Sequence, residues 1–321
     1  MSLNKIFIFS LLILLPVQSM AIFGLAGRAE QKQKIAAARE AYAKGNYGEA
    51  IEISKDFLTQ NQDAPKRRTR RIYFVLGNTY TALGDYDHAL LTYQNALELL
   101  PKDSELNLAL ADLYYKTELY DKAIEFYKKA LEYDKNNSPA LLGLGKAYLK
   151  IGFLSKSRQY FKEYLTDNAD FDNSVYYDYA LVNFLSNKQN IALEYALKMD
   201  KAQPDNPDTL FLIAKIYNSL NATKSAIENI DRALQLSNKR EDILLTALLW
   251  KSYEKKYAEY ALKEIKLYQK ENPQSQLAVV IEAMAYLTQG KRDKYLSTLK
   301  KIKDDNNNSF IKQATEQILK K

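Results

Sequence analysis

Five basic residues fall within the seven positions Pro65–Arg71: Lys66, Arg67, Arg68, Arg70 and Arg71. Such a run attracts anions, whether an acidic protein, an anionic polymer or a lipid surface. Three other stretches carry residue types that could do chemistry. "GLGKAY", Gly143–Tyr148, has the glycines and lysine of a phosphate loop. That loop must follow a strand and open a helix, whereas these residues sit inside a helical pattern. "DNADFDN", Asp167–Asn173, holds three acids. A calcium loop starting at Asp170 needs glycine sixth and glutamate twelfth; those positions hold Val175 and Leu181. His88, the one histidine, precedes Ala89 at the start of a helical stripe and reads as an exposed helix position. With no cysteine, no G-x-S-x-G and no H-E-x-x-H, the chain offers no catalytic constellation. No metal site and no cofactor are implied, and the chain reads as a non-enzyme.

The elements that position these residues must be helical. Ten glycines and seven prolines are few for 321 residues. The apolar fraction is 47% and the charged fraction 26%, as in an ordered globular chain. A net charge of +7 is spread over the whole length and selects no partner by itself. At the N-terminus, Lys5 precedes an apolar run, Ile6–Val17, and Ser19 and Ala21 stand at the small-residue positions of a cleavage site. This is the pattern of a cleavable signal peptide over residues 1–21, too short to span a bilayer. It predicts an exported, periplasmic chain, and export argues against nucleic acid as the ligand of the basic run.

A period of about 34 residues runs through the rest. Tyr73-x2-Leu76-Gly77-x2-Tyr80 is followed by Ala89-x3-Tyr93 and Pro101. Asn107-x2-Leu110-Ala111-x2-Tyr114 then precedes Ala123-x3-Tyr127, and Leu141-x2-Leu144-Gly145-x2-Tyr148 precedes Ser157-x3-Phe161. Two further copies start at Tyr176 and Leu210, and weaker ones surround Ala38–Ala50, Tyr253–Pro273 and Ala283–Gly290. Small residues at Gly77, Ala89 and Ala96 let paired helices approach closely. Gly45, Gly84, Gly152 and Gly290 fall between the helices of a pair, and the six prolines beyond Pro16 fall between repeats. "NNSP" and "DNP" place Ser138 and Asn206 as N-caps. Five extra residues accompany the basic run, which reads as a loop. The copy around Tyr253 lacks a turn glycine.

This pattern resembles the tetratricopeptide repeat (TPR) family over residues 30–305 or so. The resemblance implies an all-α, right-handed α-solenoid superhelix of about eight helix hairpins. A linker would occupy 22–30, the array 31–305 and a C-terminal capping helix 306–321, with Phe310, Ile311, Ala314, Ile318 and Leu319 on one face.

It also implies a protein-interaction scaffold whose first helices line a concave groove for another protein or peptide segment. Offsets from the core positions assign to that groove Arg39, Tyr42, Phe74 and Asn78 from the first copies. Asp112, Tyr115, Lys116, Lys146 and Lys150 follow, and then Tyr177, Phe184 and Lys215. The Lys–Asn–Arg clamp by which chaperone-binding members hold a C-terminal carboxylate is broken, since Phe74 replaces its lysine. The expected ligand is an exported segment with apolar anchors and some acidic residues. A second reading, from the many tyrosines and the basic run, is a factor that contacts glycan or peptidoglycan in the envelope.

Overall fold

A computed structural model of the chain describes residues 27–167 and 173–303. The proposed signal peptide, the proposed capping helix and most of "DNADFDN" lie outside these residues. Among the described residues every regular element is an α-helix, and there are sixteen. The chain divides into two compact units, Met1–Phe171 and Asp172–Lys321.

The first unit contains α1 (27–43), α2 (Tyr47–Gln60), α3 (Lys66–Ala82), α4 (Tyr86–Leu99), α5 (Ser104–Lys116), α6 (Tyr120–Tyr133), α7 (Ser138–Lys150) and α8 (Leu154–Asp167). The second contains α9 (Val175–Leu185), α10 (Gln189–Ala202), α11 (Pro207–Ser219), α12 (Thr223–Leu236), α13 (Glu241–Tyr253), α14 (Ala258–Glu271), α15 (Gln276–Thr288) and α16 (Arg292–Lys303). Odd and even helices pair as hairpins. Within a unit each even helix also packs on the next odd one, which makes a solenoid.

Each second helix buries one narrow stripe. In α4 it is Ala89, Thr92, Tyr93 and Ala96; in α6 Ala123, Ile124, Tyr127 and Ala130; in α12 Ala226, Ile227, Ile230 and Ala233. Alanine edges the stripe, and one large side chain at its centre fills the gap between two first helices. In α4, α6 and α8 a glycine makes room for that side chain. A Cβ on Gly77 would lie 2.5 Å from the Tyr93 ring, and one on Gly145 2.6 Å from Phe161. For Tyr127 the glycine comes from the next hairpin: a Cβ on Gly143 would lie 2.3 Å from its ring.

Seven of the eight hairpin turns among the described residues carry one left-handed residue. Gly84 supplies it with φ +76°, and in the third hairpin Glu118 adopts φ 61° at the same place. The turn of the seventh hairpin, Glu254–Tyr257, has none and is one residue longer. Beside it the buried Lys251 ammonium pairs with Asp231 at 2.6 Å and lies 4.9 Å from the centre of the Tyr260 ring.

Two local expectations need correction. Asn137 rather than Ser138 caps α7, accepting a hydrogen bond from the Ala140 N–H at 3.0 Å; Asn206 caps α11 as expected. Lys66–Arg71 do not form a loop. They are the first residues of α3, which runs for 17 residues where α5 and α7 run for 13. Most of the insertion is one additional helical turn. Lysine and arginine are good helix formers, and Pro65 occupies the N-cap, where no backbone N–H is needed.

Candidate functional site

The lengthened α3 brings the basic run and the first groove residues together. Arg67, Arg71, Phe74 and Asn78 follow at i, i+4, i+7 and i+11, one face of a helix. Arg71, Phe74 and Asn78 line a cleft of about 450 Å³ with Arg39 and Tyr42 of α1. Arg39 and Arg71 also line a neighbouring cleft of about 530 Å³, together with Lys32, Arg67 and Arg68. Arg70 points elsewhere. It reaches Asp103 at 2.5 Å and Glu105 at 2.6 Å in the next repeat, and its guanidinium lies 4.9 Å from the centre of the Phe74 ring. Lys66 is exposed at the start of the helix.

Phe74 in turn meets Tyr93 edge-on at 6.2 Å. The Tyr93 hydroxyl donates to Oδ1 of Asn78 at 2.7 Å. With its oxygen so engaged, Asn78 keeps its amide hydrogens for the cleft. Burial raises the pKa of Tyr93, so the phenol stays a donor. One repeat later Tyr127 donates to Oδ1 of Asp112 at 2.7 Å. Asp112 is exposed as a residue. Loss of hydration pushes its carboxyl up, opposed by the Tyr127 hydrogen bond and by the charge of Lys146. Burial and the Asp112 charge raise the Tyr127 phenol as well.

The remaining residues do not all converge. Tyr115 packs edge-on against Tyr120 at 5.4 Å, and Lys116 lies over the Tyr86 ring at 5.4 Å, both near hairpin turns. Lys146 is half-buried and Lys150 exposed. In the second unit Tyr177 and Phe184 are half-buried against the core around Ala180 and Ile213. Lys215 sits 3.7 Å above the Phe211 ring, and burial lowers its pKa. Arg240 pairs with Asp208 at 2.8 Å and with Asp242 at 2.7 Å.

His88 is exposed, its Nδ1 2.8 Å from Asp85 and its ring stacked on Tyr80. Among the described residues no group of histidine and acidic side chains could hold a metal ion. No described helix is long and apolar enough to cross a membrane.

Family descriptions of the tetratricopeptide repeat match residues 35–104 and 74–139, residues 118–178, and residues 207–240. The chain belongs to the tetratricopeptide repeat family, a class of all-α helical-hairpin repeats that scaffold protein interactions. No curated protein sequence matches it. Among solved structures it is similar to PilW, described as a widely conserved type IV pilus biogenesis factor, with a TM-score of 0.57 and 21% identity over 67% of this chain and 97% of that one. It is also similar to PilF of Pseudomonas aeruginosa, with a TM-score of 0.49 and 18% identity over 79% of this chain and 99% of that one. MamA matches with a TM-score of 0.49 and 24% identity over 53% and 93%. At these identities the likeness is one of fold.

Proposed function

We propose that this chain is a non-catalytic scaffold of the cell envelope, holding an extended or helical segment of an exported protein against its first helices. The convergence of Arg39, Tyr42, Phe74 and Asn78 on one cleft carries the proposal. That cleft offers two aromatic faces for an apolar anchor and a fixed amide for a peptide carbonyl. The envelope as location draws its support from Lys5, the run Ile6–Val17, and Ser19 and Ala21. The glycan reading has less support, because Tyr80, Tyr93, Tyr114, Tyr127, Tyr148 and Tyr179 are buried and cannot stack on sugars.

A photo-crosslinking residue at Lys146, activated in living cells, tests the assignment, with Gln94 on the exposed side of α4 as control. One exported protein captured from Lys146 alone is the expected result. The same adducts from both positions, or none, would overturn it. Replacing Lys146 and Lys150 together by glutamate should abolish capture at a probe placed on Asn78.

A further inference from the structure

The two clefts between α1 and α3 are lined by cations. Lys32 and Arg39 of α1 face Arg67 and Arg71 of α3, and no acidic side chain lines either cleft. Among the described residues these four cations form no ion pair. By contrast, Arg70 is held by Asp103 and Glu105, and Arg232 and Arg240 by aspartates. With Arg68, which donates to Gln31 at 2.8 Å, five cations line the larger cleft, and gathering like charges around one concavity is unfavourable until an anion enters it. Arginine forks suit carboxylates, which they grip with paired hydrogen bonds.

We propose that this end of the first unit takes an acidic stretch of the partner polypeptide, with an adjoining apolar side chain inserted between Tyr42 and Phe74. The assignment rests on the scaffold reading above and specifies its ligand. A polypeptide fits better than a bilayer because the cations line a concavity, which a flat surface cannot fill. The adjoining cleft adds aromatic rings and the amide of Asn78, groups that recognise side chains and peptide carbonyls. Arg39 and Arg71 border both clefts and so tie the acidic stretch to the apolar anchor.

Fluorescence anisotropy on the full chain tests this with three probes: a labelled peptide of consecutive glutamates followed by a leucine, its glutamine counterpart, and phosphatidylglycerol vesicles. The glutamate peptide should bind, the glutamine peptide should not, and added salt should weaken binding. Arg39→Glu with Arg71→Glu should weaken it about tenfold or more, and Lys162→Glu on α8 should leave it unchanged. Thermal melts report whether the variants fold. If the charge reversal does not fold, Arg39→Gln with Arg71→Gln should still weaken binding several-fold. An unbound glutamate peptide, equal affinity in the arginine variants, or tighter binding of vesicles through the same arginines would overturn the proposal. Capture at Lys146 without dependence on Arg39 and Arg71 removes the acidic site and keeps the scaffold. Full dependence on the arginines without capture at Lys146 confines the ligand to the α1–α3 end and removes the extended face.

Discussion

Tyr127 donates its hydroxyl to Asp112 at 2.7 Å, and Tyr93 repeats the contact with Asn78 one hairpin earlier at the same separation of 15 residues. In both, the large residue at the centre of the second helix reaches through the hairpin and fixes a polar side chain on the first-helix face. The same spacing sets Phe161 and Lys146 at the corresponding positions of the next hairpin. There a ring without a hydroxyl corresponds to a side chain that is a donor only. The same backbone site thus carries an amide, a carboxylate and an ammonium in successive hairpins.

The charge at Asp112 has a pH signature. Its folded pKa is raised chiefly by loss of hydration, so the folded chain holds the proton more tightly than the unfolded one. Its contribution favours folding at low pH and turns unfavourable as pH rises through that raised value. Asp112→Asn keeps the acceptor for Tyr127 and removes the charge. It should stabilise the chain at neutral pH, by less than about 1 kcal/mol because the residue is exposed. The difference in urea midpoint should close below about pH 4, the ordinary carboxylate range.

The tyrosine contacts should be worth what a hydrogen bond is worth. Tyr127→Phe and Tyr93→Phe are each expected to destabilise by about 0.5–1.5 kcal/mol. A double-mutant cycle of Tyr127→Phe with Asp112→Ala should show coupling, whereas Tyr127→Phe with Asn78→Ala should be additive. Chemical denaturation of the set reads both.

Glycine positions should divide by what their missing Cβ would meet. Gly77→Ala and Gly145→Ala force a ring to move and should cost about 1–3 kcal/mol. Gly48 in α2 has nothing within 4 Å of a Cβ, and Gly48→Ala should gain about 0.5 kcal/mol from helix propensity. Opposite shifts in melting temperature are the check.

The turns make a paired prediction. Glu118 adopts a left-handed conformation that glycine accepts without strain, so Glu118→Gly should stabilise by about 0.5–1 kcal/mol. Gly84→Ala should destabilise by about as much or more. Hydrogen exchange of the amides flanking each turn would localise the effect.

Much of this architecture was legible in the residues. Gly77, Ala89 and Ala96 mark the close approaches, and the proline positions mark the repeat ends. The offset rule also gathers Arg39, Tyr42, Phe74 and Asn78. What escaped was set by competition between local signals. "QDAP" announces a loop, and the loop does precede α3. The arginines behind it nonetheless favour helix, and extending the α3 face backwards by i−3 and i−7 from Phe74 finds Arg71 and Arg67. Asn137 and Ser138 are both good caps, and only the backbone decides between them. The Arg70–Asp103 pair spans about one repeat period, so single-helix spacing carries no sign of it. Lys251 reads as a surface lysine because its partners, Asp231 and Tyr260, lie on other helices.

Among the first helices from α3 to α15, the additional turn occurs in α3 alone. A periodic surface presents a bound strand with several nearly equivalent resting places, one hairpin apart, and gives it no reason to prefer one. A ledge of arginines at a single step removes that degeneracy. For the acidic segment proposed above, it would fix the phase along the first unit, and with it which end of the segment faces Arg67.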